Sequence, residues 1–156
     1  MPRHSYSEIN LHIVWHTKHS EALITSEVEQ VVYQVIREKV TEFRAAAFHE
    51  VGGIENHVHV VVRVPPTVLI SEFIGKLKGA SAHRVNSVLG SGKKILEWQQ
   101  GYGLVSFGTQ HLEWVRRYVR NQKEHHARGA TFDRLERIVA EERDPETAGE
   151  EANGEE

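Results

Sequence analysis

Two histidines one residue apart, His57 and His59, and a tyrosine with a glutamine four residues later, Tyr118 and Gln122, are the side chains best suited to chemistry. On a strand, residues i and i+2 point to the same face, so both imidazoles would project side by side. Such a pair can coordinate a divalent cation and leave positions open for other ligands and a substrate oxygen. It equally fits two polar residues on a solvent face, and eleven histidines in 156 residues produce chance pairs such as His12/His16 and His125/His126. Tyr118 and Gln122, four apart, share one face of a helix. A tyrosine is a competent nucleophile towards a phosphodiester, but its ordinary pKa of about 10 calls for a nearby cation or base. Gln122 could offer its amide oxygen to a metal. A tyrosine packing its ring at a helix boundary satisfies the same spacing.

Bases and aromatics interleave around these residues. Lys76, Lys78, Arg84, Lys93 and Lys94 precede Trp98 and Tyr102, while Arg116, Arg117, Arg120, Lys123 and Arg128 surround Tyr118. That mixture suits a nucleic-acid backbone and unstacked bases, although a solvated helical face also collects lysines and arginines. The formal net charge of −3 conceals the pattern. Residues 57–128 carry eleven bases against four acids, whereas residues 141–156 carry eight acids against one base. The absence of cysteine excludes disulfides, thiolate zinc sites and a cysteine nucleophile, and fits a reducing compartment. No apolar run is long enough to span a membrane, and the first residues lack the apolar core of a signal peptide, so a cytosolic location is expected.

The elements that must position these groups are legible from periodicity. Residues 9–15 alternate as a half-buried strand. Thr25-Ser26 caps an amphipathic helix over 26–42, with Val28, Val31, Val32, Val35, Ile36 and Val40 at helical spacing. Residues 43–51 read as a second strand broken by Gly52-Gly53, and 56–64 as a third stopped by Pro65-Pro66. A helix over about 68–89, a strand over 102–107 and a helix over 109–126 come next, then a short helix over 131–142 and a disordered acidic tail over 143–156. The order β-α-β-β-α-β-α predicts an α+β sandwich, a mostly antiparallel sheet with helices on one face. Trp15, Trp98 and Trp114 are expected in the core, and His111, His125 and His126 in structural or phosphate-contacting roles.

In register, these stretches resemble the single-tyrosine HUH transposases, the single-strand transposases of small bacterial insertion sequences. Asn10-Leu11-His12-Ile13-Val14-Trp15-His16-Thr17-Lys18 is similar to that family's first strand, and Asn56-His57-Val58-His59-Val60-Val61-Val62 to its His-hydrophobe-His strand. Leu77-Lys78-Gly79-Ala80-Ser81 is similar to its Lys-Gly-x-Ser segment, and Trp98 with Gly101-Tyr102-Gly103 and Ser106 to the strand before the last helix. Tyr118-Val119-Arg120-Asn121-Gln122 with His125-His126 is similar to its tyrosine helix. The likeness covers residues 8–128. Glu55 stands where the family usually has proline, which leaves both histidines in place.

The resemblance implies a ferredoxin-like (RRM-like) HUH endonuclease fold over residues 1–130. It implies Tyr118 as nucleophile, forming a 5′-phosphotyrosine, and His57, His59 and Gln122 as ligands of Mg²⁺ or Mn²⁺ on the scissile phosphate. It further implies a homodimer acting on single-stranded DNA with hairpins at element ends, without a small-molecule cofactor. Lys78, Arg84, Arg117, Arg120 and Lys123 are the candidate DNA contacts. Two other tasks share these features: a domesticated hairpin-binding protein without transposition, and a related nuclease acting on host repeats or replication origins. Asn121-Gln122 after the tyrosine is more like the insertion-sequence group than its repeat-associated relatives, whose helix continues Asn-Pro.

Overall fold

The computed structural model describes residues 5–138, so the expected acidic tail over 143–156 and the end of the expected 131–142 helix lie outside the described residues. The described elements are β1 (Ile9–His16), α1 (Ser26–Glu42), β2 (Ala47–Ile54), β3 (His57–Val64), α2 (Ile70–Val88), β4 (Gly103–Phe107), α3 (Leu112–Arg120), α4 (Gln122–Arg128) and α5 (Asp133–Glu136). The strands form one antiparallel sheet in the order β2-β3-β1-β4, with Ile13 opposite Val60 and Val14 opposite His59 at its centre.

Strand alternation divides the sheet into two unlike faces. Leu11, Ile13 and Trp15 of β1 and Val58, Val60, Val62 and Val64 of β3 pack against α1 and α2. Helix α1 contributes Val28, Val32, Ile36 and Val40, and α2 contributes Phe73, Ile74, Leu77 and Val85. Thr25 caps α1 by accepting the Val28 N–H, and Glu27 and Glu29 lie at its positive end. The opposite face presents His12, His59 and Val61, and there Val115, Tyr118, Val119 and Leu135 pack. The expected α+β antiparallel architecture is present, but the helices are divided: α1 and α2 cover one face, and α3 to α5 gather on the other.

Three local departures from the sequence reading bear on the site. Strand β2 runs through Gly52-Gly53 instead of stopping there. A Cβ on Gly52 would lie 1.9 Å from the Val119 carbonyl oxygen, so this glycine admits the tyrosine helix against the strand. The single helix expected over 109–126 opens with a 3-10 turn and breaks at Asn121 (φ −99°, ψ 27°), leaving α3 and α4. Lys78 donates to the carbonyls of Gln99 (2.7 Å) and Gly101 (2.9 Å), and Trp98 Nε1 to Lys78 O and Ser81 Oγ. The Lys-Gly-x-Ser segment therefore fastens the chain before β4 onto α2. No helix among the described residues is long and apolar enough to cross a membrane.

Candidate metal and nucleophile site

Strand β3 starts at His57, and its alternation turns both His57 and His59 away from the apolar core, where they are nonetheless buried. Each ring is fixed through Nδ1: His57 to Asn56 Oδ1 at 2.7 Å, His59 to His12 Nε2 at 2.8 Å. Their buried Nε2 atoms are left aimed into one pocket and make no hydrogen bond of good geometry. Across it stands Glu136 of α5, with Oε2 3.4 Å from His57 Nε2 and 3.2 Å from His59 Nε2. His126 of α4 completes the ring, its Nε2 3.5 Å from Glu136 Oε1. One ligand atom from each of these four residues lies within 4.8 Å of the others.

The donor set suits a divalent cation. An Asn56 oxygen can only accept, so His57 Nδ1 carries the proton and its Nε2 can present a lone pair. Burial holds the pKa of His59, and likewise of His126, below the ordinary histidine value, which keeps both rings neutral. The His57 and His59 Nε2 atoms converging on a carboxylate, with their Nδ1 atoms anchored behind them, are the ingredients of a carboxylate–histidine metal site. Burial alone would raise the Glu136 carboxyl, but the His57 and His59 rings that face it and the Tyr118 hydroxyl that donates to it bring it well below the usual carboxylate range.

Tyr118 lies beside this pocket in the same chain. Its hydroxyl donates to Glu136 Oε1 and accepts the Phe132 N–H at 2.9 Å. Its ring stacks on Trp114 and on His125, with centroids 5.7 and 4.9 Å away, and stands edge-on to His59 at 6.1 Å. Burial, and then the bond to ionised Glu136, push the phenol up to about 12. As it stands, the nucleophile is held protonated.

Gln122 is buried at 1% exposure, but its side chain is turned along the helix: Nε2 donates to the Tyr118 carbonyl at 3.1 Å, and Oε1 bonds His126 Nε2 at 3.0 Å. It therefore sits behind His126, beside the pocket. Of the candidate DNA contacts, Arg84 pairs with Glu38 (2.8 Å), Arg120 with Glu50 (2.9 Å) and Lys123 with Glu29 (2.7 Å). Lys78 is committed to main-chain carbonyls, while Arg117 is exposed on α3. Trp15 is buried and Trp98 packs edge-on against it, as expected, but Trp114 is 46% exposed, because its position on α3 turns it past the sheet. Sequence reasoning missed Glu136 and the pocket role of His126. The latter carried a usable signal, one turn after Gln122 on the same helical face; Glu136, an acid in a charged segment, carried none.

Residues 5–122 match the family described as "Transposase IS200 like". The chain belongs to this family. It is 25% identical over 125 residues to the transposase for insertion sequence element IS200 of Salmonella typhimurium, covering 78% of this chain and 81% of that one. To the ISDra2 transposase TnpA of Deinococcus radiodurans it is 21% identical over 119 residues, covering 74% and 84%. Among solved structures, a Deinococcus radiodurans protein described as a transposase candidate superposes with TM-score 0.62 at 21% identity, over 78% of this chain and 96% of that one. A REP-associated tyrosine transposase bound to a REP hairpin superposes with TM-score 0.57 at 14% identity, over 84% and 75%. These structures share the fold of this family member. The family match ends at Gln122, so His126 and the α5 segment lie beyond it.

Proposed function

We propose that this transposase-family protein cleaves and rejoins single-stranded DNA through a covalent phosphotyrosine. The observation carrying this reading is the convergence of the Tyr118 hydroxyl with the His57 and His59 Nε2 atoms on one carboxylate. His57 and His59, with His126 beside them and Gln122 behind His126, would hold Mg²⁺ or Mn²⁺, which when bound polarises the scissile phosphate and offsets its developing charge. Tyr118 Oη attacks phosphorus and gives up its proton; the bond to the 3′-oxygen breaks, and that oxygen takes up a proton as a free 3′-hydroxyl. A 5′-phosphotyrosine results, and attack by another 3′-hydroxyl reverses the step, so the phosphodiester energy is conserved. Pre-set rings that need no reorganisation during the step are the fold's contribution.

The substrate class proposed is a hairpin-bearing single strand at element ends, and the protein's place of action the cytosol. A homodimer joined at a sheet edge would use β2 or β4, the outer strands. The test is incubation of full-length protein with labelled hairpin DNA and Mn²⁺. A covalent adduct is expected in wild type and not in Tyr118→Phe; unchanged cleavage by the variant would sink the mechanism. The second reading, a hairpin-binding protein without transposition, draws on the sealing of Tyr118 by Glu136 and Phe132, and predicts binding with no adduct.

A further inference from the structure

Residues 129–137 leave α4 at Gly129, whose φ of 66° turns the chain back over the site. The returning segment is slight. Helix α5 has four residues, too few to hold its own conformation, and a single buried apolar side chain, Leu135 (4% exposed), seats it among Val61, Val115, Tyr118 and Val119. Yet this strap meets every reactive group of the site. Glu136 accepts the Tyr118 hydroxyl and faces His57, His59 and His126, and the Phe132 N–H occupies the other side of the phenolic oxygen. Beside them the Phe132 ring, 45% exposed, lies edge-on against the half-exposed Trp114, with centroids 5.2 Å apart.

We propose that residues 132–136 stand in for a piece of substrate: the Glu136 carboxylate holds the position of the scissile phosphate, and the Phe132 ring, edge-on, blocks the Trp114 ring against which a neighbouring base would stack. The inference rests on the strand-transfer reading above. A phosphodiester attacked by Tyr118 must place an anionic oxygen towards the His57 and His59 nitrogens and its phosphorus within reach of Tyr118 Oη. Glu136 is an anion that bridges these same groups. It cannot share them with DNA, so substrate entry requires the strap to leave. The departure uncovers Trp114, already stacked in parallel on the Tyr118 ring, as a platform beside the reacting phosphate. Aromatic platforms of this kind bind unpaired bases without needing a particular sequence. The strap is thus a built-in competitor, and Trp114 is the base subsite it covers.

The two sides of this contact should move DNA affinity in opposite directions. Binding of a fluorescent single-stranded oligonucleotide is measured by anisotropy with Mn²⁺ for full-length wild type, Glu136→Gln, Phe132→Ala and Trp114→Ala. Mn²⁺ binding is followed by electron paramagnetic resonance, and folding by thermal melting. Glu136→Gln keeps the size of the side chain and should bind DNA about fivefold tighter or more, with Mn²⁺ binding retained. Phe132→Ala should also tighten binding, and Trp114→Ala should weaken it about tenfold. Removing the base next to the scissile phosphate should weaken wild-type binding and leave Trp114→Ala unaffected. Loss of Mn²⁺ binding in Glu136→Gln would overturn the proposal and make Glu136 a resident ligand. Unchanged DNA affinity in folded Glu136→Gln and Phe132→Ala would reduce the strap to packing and also overturn it. Opposite affinity shifts without a covalent adduct in any variant would support the strap while sinking the strand-transfer reading.

Discussion

The two faces of the sheet are made by the same strands and serve opposite ends. On the α1/α2 face, alternate residues of β1 and β3 are apolar and close over Phe73, Ile74 and Leu77. On the other face the intervening residues include His12, His57 and His59, all buried, under a smaller apolar cluster of Val61, Val115, Tyr118, Val119 and Leu135. The first face holds the fold; the second accepts buried imidazoles and a half-buried carboxylate, which are costly unless paired or ligated. Stability and chemistry are therefore separable here by the parity of a residue along a strand.

The largest effect should come from the apolar face. Phe73→Ala removes a fully buried ring and is expected to cost about 3–5 kcal/mol in urea unfolding, with site chemistry intact in whatever fraction folds. The second face should answer to a ligand instead. Mn²⁺ at a hundredfold excess over its Kd should stabilise wild type by about 2.7 kcal/mol, seen as a raised Tm. That increment should vanish when His57 and His59 are both replaced by alanine; its survival would place the metal elsewhere. Gly52→Ala joins the two faces' roles. Its Cβ would force the Val119 carbonyl outward, costing about 1–3 kcal/mol, and would shift Tyr118, the adjacent residue. Adduct formation should fall further than the loss of folded protein explains; a proportional fall would show that α3 repacks without moving the nucleophile.

The sequence disclosed most of the apolar face and half of the chemical one, for physical reasons. Periodicity reports burial on regular elements, so α1, β1 and β3 could be read directly, and with them the shared face of His57 and His59. Tyr118 was legible from the tyrosine-helix resemblance. A close backbone approach leaves no periodic trace, which is why Gly52-Gly53 reads as a break although it is a docking point. The break at Asn121 is likewise a local backbone choice within a helical pattern. Glu136 was illegible because its role depends on a chain reversal at Gly129 and on one leucine anchor. Trp114 was misplaced because hydrophobicity says that a ring is to be covered and not what covers it.

The smallest expected effect concerns acid, and it too divides the faces. The titratable side chains whose lowered pKa values come first from burial include His12, His49, His59 and His126, which belong to the site's side of the sheet. A histidine whose folded pKa lies below its ordinary 6.5 binds fewer protons folded than unfolded in the interval between the two values. Its stabilising effect is complete above pH 6.5 and is lost as pH falls towards the folded value. Glu136, also depressed, adds a second loss, beginning only below its ordinary 4.5. Metal-free protein should therefore show a Tm that declines in two stages on acidification, the first starting near pH 6.5. His12→Leu should make the first stage shallower, with His49, His59 and His126 supplying the rest, and leave the second; Glu136→Gln should remove the second and steepen the first, because the Glu136 charge raises His12, His59 and His126. If neither variant changes the profile, the acid-sensitive groups do not lie on this face, and the division between a fold-holding and a chemical surface fails for stability even if it holds for activity.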